Sequence, residues 1–98
     1  MIGVKEAVKV AFKLFQELYD TKKFEDILLE EVELSEDRAT WRVTIGFARQ
    51  IPSVNIMESI GSKKYTRSFK KFEISADDGQ MVSMKNLRFE TSSDLYAR

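Results

Sequence analysis

The chain of 98 residues contains no cysteine and no histidine. Without cysteine there is no disulfide framework and no thiolate chemistry. Without histidine, the commonest general base and the commonest transition-metal ligand are both missing. Glycine is scarce, and Gly46, Gly61 and Gly79 are isolated, so no glycine-rich phosphate loop is present. These absences predict a protein that is not an enzyme and that uses no cofactor and no metal.

Long hydrophobic runs are also missing. No segment approaches the roughly 20 apolar residues that a membrane-spanning helix needs. Lys5, Glu6, Lys9 and Lys13 interrupt the first apolar stretch, which therefore lacks the pattern of a signal peptide. We expect no membrane association and a cytoplasmic location.

No charge of one sign dominates, because 16 basic and 16 acidic residues give a formal net charge of zero. This balance argues against nonspecific nucleic-acid binding by the whole surface. The two halves differ, however, since residues 1–48 carry a net charge of about −3 and residues 49–98 about +3. Such a chain suits a charged protein partner or a homodimer.

What is present begins with one amphipathic helix. Ninety-eight residues fit a single domain, residues 1–98. Apolar residues recur at helical spacing, which predicts a helix over about residues 3–21. The stripe consists of Val4, Ala7, Val8, Ala11, Phe12, Phe15, Leu18 and Tyr19. Its width is typical of a helix that lies on a sheet.

A first hairpin is predicted over about residues 27–48. The odd-numbered residues from Trp41 to Phe47 alternate with polar residues or glycine, so their side should face the helix. In the preceding strand, the alternation places Leu28 on the same face as Val32 and Leu34. Glu31 and Glu33 lie on the other face and are expected to pair with Arg42 or neighbouring bases.

A second hairpin is predicted over about residues 65–89, followed by a frayed tail at residues 90–98. The sequence Asp77-Asp78-Gly79 is a turn signal, which accounts for its two carboxylates without a metal. The alternation changes phase between Phe69 and Phe72. We therefore expect a β-bulge at Lys70-Lys71.

Together these elements predict an α+β fold, with an N-terminal helix packed on a four-stranded antiparallel sheet of two consecutive hairpins. The expected core residues are Val8, Phe12, Phe15, Leu18, Trp41, Val43, Ile45, Phe72 and Ile74.

The connection at residues 48–64 is long for a hairpin loop and unusually apolar. Pro52 should end the preceding strand. Either Ser53 caps a short helix that stops at Gly61, or the connection exposes its apolar side chains. Five of these are candidate partner-binding residues: Ile51, Val54, Ile56, Met57 and Ile60. The leading hypothesis is a noncatalytic protein-binding or regulatory module that binds an unknown protein partner.

A basic segment follows this connection. Its cations are Lys63, Lys64, Arg67, Lys70 and Lys71, and aromatic residues are interleaved with them. The alternative function is weak single-stranded nucleic-acid binding through residues 63–71. A third interpretation is an edge strand whose lysines prevent aggregation. Both segments place the functional surface at the entrance of the second hairpin.

Three stretches carry a resemblance to a known group: AVKVAFKLFQELY, LLEEVELSEDRATWRVTIGF and RSFKKFEISADDGQMVSMK. This order of elements resembles the PepSY-like small domains, which have a cystatin-like helix-on-sheet shape. It is also similar to small bacterial proteins without an assigned function. The resemblance implies the fold. It does not extend to the inhibitory QxVxG loop of cystatins, which this sequence lacks.

Overall fold

The computed structural model describes residues 1–50 and 65–87. A helix, α1 (Val4–Leu18), is followed by a short 3-10 helix (Thr21–Lys23). Four strands follow: β1 (Phe24–Leu34), β2 (Thr40–Gln50), β3 (Tyr65–Ser75) and β4 (Met81–Leu87). They form one antiparallel sheet in the order β1-β2-β3-β4, against which α1 packs. The predicted α+β fold is confirmed.

The helix α1 is shorter than the sequence pattern predicts. It ends at Leu18 because Tyr19 adopts an extended conformation, with φ −131° and ψ 152°. Asp20 then caps the 3-10 helix by accepting a hydrogen bond from the Lys22 amide, and β1 begins directly afterwards. Within the described residues, no helix has the length and apolar character required to cross a membrane.

The sheet has two faces of different character. The inner face packs against α1 and carries Val43 and Ile45 from β2, and Phe72 and Ile74 from β3. Successive side chains of a strand point to opposite faces, so Arg42, Thr44 and Gly46 lie on the outer face. The expected orientation of the odd-numbered residues of β2 is therefore confirmed.

The core is centred on Phe15, whose ring lies 5.2 Å from that of Phe47 and 6.4 Å from that of Phe72, centroid to centroid. Of the nine expected core residues, five are fully buried: Phe15, Val43, Ile45, Phe72 and Ile74. Val8, Phe12 and Trp41 pack against this core and are half-buried. Leu18 was wrongly expected in the core, because it is 51% exposed at the end of α1.

The predicted bulge at Lys70-Lys71 is wrong. From Thr40↔Ser75 to Gln50↔Tyr65, β2 and β3 pair without a register shift, and β3 pairs with β4 continuously from Phe69 to Glu73. The phase change arises because Phe69 occupies the outer face, whereas Phe72 occupies the inner face. Side chains of β3 alternate regularly between the two faces there, but the apolar residue is on the outer face at Phe69 and on the inner face at Phe72.

The β3–β4 pairing has one register shift, between Glu73 and Ile74. In β1 there are two irregularities, between Glu25 and Leu28 and between Leu29 and Glu31. The first includes Asp26, which has a positive φ of 50°. The second changes the face of the residues that precede it. Leu28 therefore lies on the outer face opposite Gly46, 54% exposed, rather than beside Val32 as the alternation predicted.

The closed ends of both hairpins are tightly hydrogen bonded. In the β3–β4 turn, Gly79 has φ 77° and donates to the Ser75 carbonyl at 2.9 Å, which confirms the predicted turn. Ile2 joins α1 to this end of the sheet. Its amide donates to the Ala76 carbonyl at 2.7 Å, and its carbonyl accepts from the Trp41 indole at 3.1 Å.

Candidate functional site

A groove of about 510 Å³ lies at the opposite end of the sheet, where β2 ends and β3 begins. The lining residues come from the 3-10 helix, the start of β1, the end of β2 and the start of β3. They are Lys22, Lys23, Phe24, Glu25, Arg49, Gln50 and Tyr65. This groove, called the basic groove below, combines three cations with one carboxylate and two aromatic rings.

The pairing of β1 with β2 brings the walls of the basic groove together. Phe24 is the register partner of Arg49, so the lysines that precede Phe24 reach the end of β2. The Phe24 ring packs 4.5 Å from that of Phe47 and 5.8 Å from that of Phe15, centroid to centroid. The aromatic core therefore holds this wall of the groove in place.

The described lining of the basic groove carries more basic than acidic side chains. Among residues 1–50 and 65–87, Lys22, Lys23 and Arg49 have no ion-pair partner. Three unpaired cations beside Glu25 leave an excess of positive charge, which attracts anionic groups. The chemistry of this lining is complementary to a carboxylate or phosphate, and Phe24 and Tyr65 add aromatic rings for apolar contact.

Most of the predicted partner-binding residues lie outside the described residues. These are Ile51, Val54, Ile56, Met57, Ile60, Lys63 and Lys64. The segment that contains them follows Gln50 and precedes Tyr65 in the chain, and both of these residues line the basic groove. The two residues that flank the predicted binding segment in the sequence therefore both line the basic groove.

Arg67 is occupied by contacts within the protein. Its Nη2 lies 2.8 Å from Glu30 Oε2, and its Nη1 donates to the Asp26 carbonyl at 3.1 Å. Both partners belong to β1, so the side chain crosses the whole width of β2. It crosses at Gly46, where an added Cβ would come within 2.7 Å of Arg67 Nη2. Arg67 thus bridges β1 and β3 over the outer face.

The other two described cations of the basic segment point to opposite sides of the sheet. Lys70 lies on the inner face, with its Nζ 5.1 Å from the centroid of the Tyr19 ring, and it donates to the Asn86 side chain. Lys71 lies on the outer face opposite Thr44. Arg67, Lys70 and Lys71 therefore do not form one continuous basic surface.

Sequence reasoning missed Lys22, Lys23 and Arg49. The Lys22-Lys23 pair and the isolated Arg49 are visible in the sequence, but 26 positions separate Lys23 from Arg49. Only the register of β1 on β2, with its shifted positions, shows that they share a groove. The basic groove lies beside the entrance of the second hairpin, and the expectation that the functional surface lies there stays a prediction.

The outer face carries a separate group of charges. Arg42 lies between Glu33, at 3.8 Å, and Glu73, at 3.3 Å, so the expected pairing of Glu33 with Arg42 is confirmed. The Ser83 hydroxyl donates to Glu73 and, together with Arg42, lowers the pKa of that carboxyl below its ordinary value. Within the described part of the chain, no three acidic side chains cluster as metal ligands.

Comparisons with protein-family models, with curated proteins and with solved structures found no match, so the PepSY-like resemblance stays a prediction.

Proposed function

We propose that this protein is a noncatalytic binding module that holds an acidic segment of a protein partner in the basic groove. The observation that carries the proposal is one groove that combines two aromatic rings with three cations, none of which has an ion-pair partner among the described residues. An acidic peptide with apolar side chains complements both features.

The sequence of residues 51–64 supports the same assignment. Ile51, Val54, Ile56, Met57 and Ile60 supply apolar side chains directly after the groove residue Gln50, and Lys63 and Lys64 add two cations before Tyr65. Binding residues are often carried by loops that a rigid scaffold holds. The antiparallel sheet supplies that scaffold here.

The test is capture of partners from an extract of the native host by three immobilised proteins. One is the wild type, and one carries the groove substitutions Lys22→Glu, Lys23→Glu and Arg49→Glu. The matched control carries Lys5→Glu, Lys9→Glu and Lys13→Glu, which change the net charge equally on the exposed side of α1. We expect an acidic protein that the wild type and the control retain and that the groove variant loses.

A partner that all three proteins retain would contradict binding in the basic groove. A partner that both variants lose would show that binding depends on the net charge of the protein rather than on the groove. For a captured partner, a fluorescent peptide of its acidic segment gives the affinity by anisotropy. The groove substitutions should weaken that affinity at least about tenfold, because charge-assisted contacts are lost.

Single-stranded nucleic-acid binding through residues 63–71 has less support. Arg67 and Lys70 already have partners within the protein, and Lys71 lies on the opposite face from Lys70. Anisotropy of a labelled oligothymidylate, titrated at low and high salt, tests this alternative. Tight binding that weakens steeply with salt would favour it over the protein partner.

A further inference from the structure

The outer face is ordered into three rows of side chains that run across all four strands. The first row, from β1 to β4, is Glu33, Arg42, Glu73 and Ser83. The second row is Glu31, Thr44, Lys71 and Lys85. The third row is Leu28, Gly46, Phe69 and Leu87. The first two rows therefore carry charged and polar side chains, and the third carries three apolar ones, with the bridge between Arg67 and Glu30 crossing it at Gly46.

The second row carries opposite charges at its two ends, and its charged side chains form no ion pairs among the described residues. Its acid, Glu31, lies on β1, and its bases, Lys71 and Lys85, lie on β3 and β4. None of the three forms an ion pair with another described residue. Glu31 and Lys85 are separated by three strand spacings, about 14 Å, which is too far for a direct contact within one molecule. Among the described residues, Glu31 at one end of the row thus has no ion-pair partner, and Lys85 at the other end has only a longer-range attraction to Glu73.

We propose that a second copy of this chain docks face to face on the outer face, related by a twofold axis that runs parallel to the strands between β2 and β3. This operation places β1 over the partner's β4 and β2 over the partner's β3. Interfaces with twofold symmetry bring the same patch of both copies together, so every contact occurs twice.

All three rows are complementary under this operation. In the second row, Glu31 lies over the partner's Lys85, and Lys85 lies over the partner's Glu31. In the first row, Arg42 lies over the partner's Glu73. In the third row, the exposed Leu28 lies over the partner's Leu87. Opposite charges therefore meet in two rows, and Leu28 meets Leu87 at both ends of the third, whose centre the Arg67–Glu30 bridge crosses at Gly46.

The charge order distinguishes this axis from the other twofold arrangement of stacked sheets. An axis perpendicular to the strands, through the second row, would place each strand over its own copy. Glu31 would then face the partner's Glu31, and Lys85 would face the partner's Lys85. Like charges in direct opposition destabilise an interface, so the pattern selects the axis parallel to the strands.

The area of the outer face determines how strongly two copies are expected to associate. Four strands of seven residues cover a patch about 19 Å by about 23 Å, so two copies bury roughly 900 Å². This area is below the range of stable specific interfaces, so the association is weak and transient. We expect dissociation constants in the micromolar range, with aligned sheets stacked about 10 Å apart.

Sedimentation equilibrium on the full chain, from low micromolar to about 500 µM at low salt, tests the proposal. Glu31→Lys and Lys85→Glu should each weaken dimerisation at least about tenfold, because each places like charges together. The double variant Glu31→Lys/Lys85→Glu reverses both partners and has the wild-type net charge. Its dimer dissociation constant should be within about threefold of the wild-type value.

The matched controls are Glu17→Lys and Lys13→Glu, which make the same charge changes on the exposed side of α1. They should leave dimerisation unchanged, and thermal melts establish that every variant is folded. A wild type that stays monomeric up to 500 µM overturns the proposal. So does a dimer that the single reversals leave intact or that the double reversal does not restore.

Zero-length carbodiimide cross-linking gives an independent readout. Because Glu31 and Lys85 are about 14 Å apart within one chain, an amide bond between them forms only between copies. Mass spectrometry of the cross-linked dimer should identify the Glu31–Lys85 peptide pair. A cross-linked dimer joined at other residues, without this pair, overturns the assigned axis.

Discussion

The two faces of the sheet are built from the same strands, yet they use different chemistry. The inner face is mainly apolar, and Val43, Ile45, Phe72 and Ile74 are fully buried there against α1. The outer face holds ion pairs around Arg42 and the bridge from Arg67 to Glu30. Burial of apolar area dominates stability, whereas exposed ion pairs contribute little. The inner face therefore stabilises the fold, and the outer face is the one through which we propose that two copies associate.

The largest expected effect comes from truncating one aromatic residue on each face of β3. Phe72→Ala should lower the free energy of unfolding by about 3–5 kcal/mol, because it leaves a cavity beneath Phe15. Phe69→Ala, on the outer face of the same strand, should cost about 1–2 kcal/mol, because Phe69 is only half-buried. Urea denaturation followed by circular dichroism measures both values.

If Phe72→Ala does not fold, Phe72→Leu serves as a milder variant, and it should still cost more than Phe69→Leu. Equal costs at the two positions would contradict the division of roles between the faces.

An intermediate effect is expected at Gly46. An alanine there favours the strand by about 0.5–1 kcal/mol through the unfolded state. Its Cβ, however, would lie within 2.8 Å of Glu30 Cγ and would displace the bridge between Glu30 and Arg67. We expect Gly46→Ala to lower the free energy of unfolding by about 1 kcal/mol, because the lost charged hydrogen bonds outweigh the backbone gain.

The control for Gly46 is the same substitution in a Glu30→Ala/Arg67→Ala background. With the bridge absent, Gly46→Ala should become neutral or stabilising, and a double-mutant cycle measures the coupling. An unchanged cost in that background would show that the sheet itself, rather than the bridge, excludes a side chain at this position.

The smallest effect concerns the pH dependence of the outer face. Because the hydrogen bond from Ser83 lowers the pKa of Glu73, the ionised carboxylate stabilises the folded protein above the ordinary glutamate pKa of 4.5. This stabilisation is lost as the pH falls through the lowered folded value. Ser83→Ala should cost about 0.5–1 kcal/mol near pH 7 and less in acid.

Chemical denaturation at pH 7 and at pH 3 measures this difference, and carbon-13 NMR titration should show the pKa of Glu73 rising in Ser83→Ala. In a Glu73→Gln background, the cost of Ser83→Ala should no longer change with pH. A cost that keeps the same pH dependence there would assign the titration to another group.

The sequence predicts the structure where the alternation of apolar and polar residues continues without a change of phase. The alternation around Val43 and Ile45 predicts which face of β2 meets the helix, and Asp77-Asp78-Gly79 predicts the turn, because both signals are local. The phase change in β3 was misinterpreted because Phe69, although apolar, lies on the outer face opposite Gly46, where the Arg67 guanidinium lies 5.9 Å from the centroid of its ring. The position of Arg67 depends on its partners in β1, which is a tertiary property that the alternation within β3 does not show.

The bulges of β1 were missed for a different reason. The adjacent residues Leu28-Leu29 and Glu30-Glu31 break the alternation, which is the available signal, but the same pattern fits a strand that is merely imperfect. The position of the basic groove depends on these bulges, because they set which residue of β1 meets Arg49. Local sequence patterns therefore could not predict the groove, although its three cations are visible in the sequence.

The hydrogen bond from the Trp41 indole to the Ile2 carbonyl gives the protein a built-in optical probe. Trp41 is the single tryptophan of the chain, so the emission spectrum comes from one ring at the junction of helix and sheet. A red shift of that emission reports hydration of this junction. Compared with circular dichroism, it distinguishes detachment of the amino-terminal residues from unfolding of the whole domain.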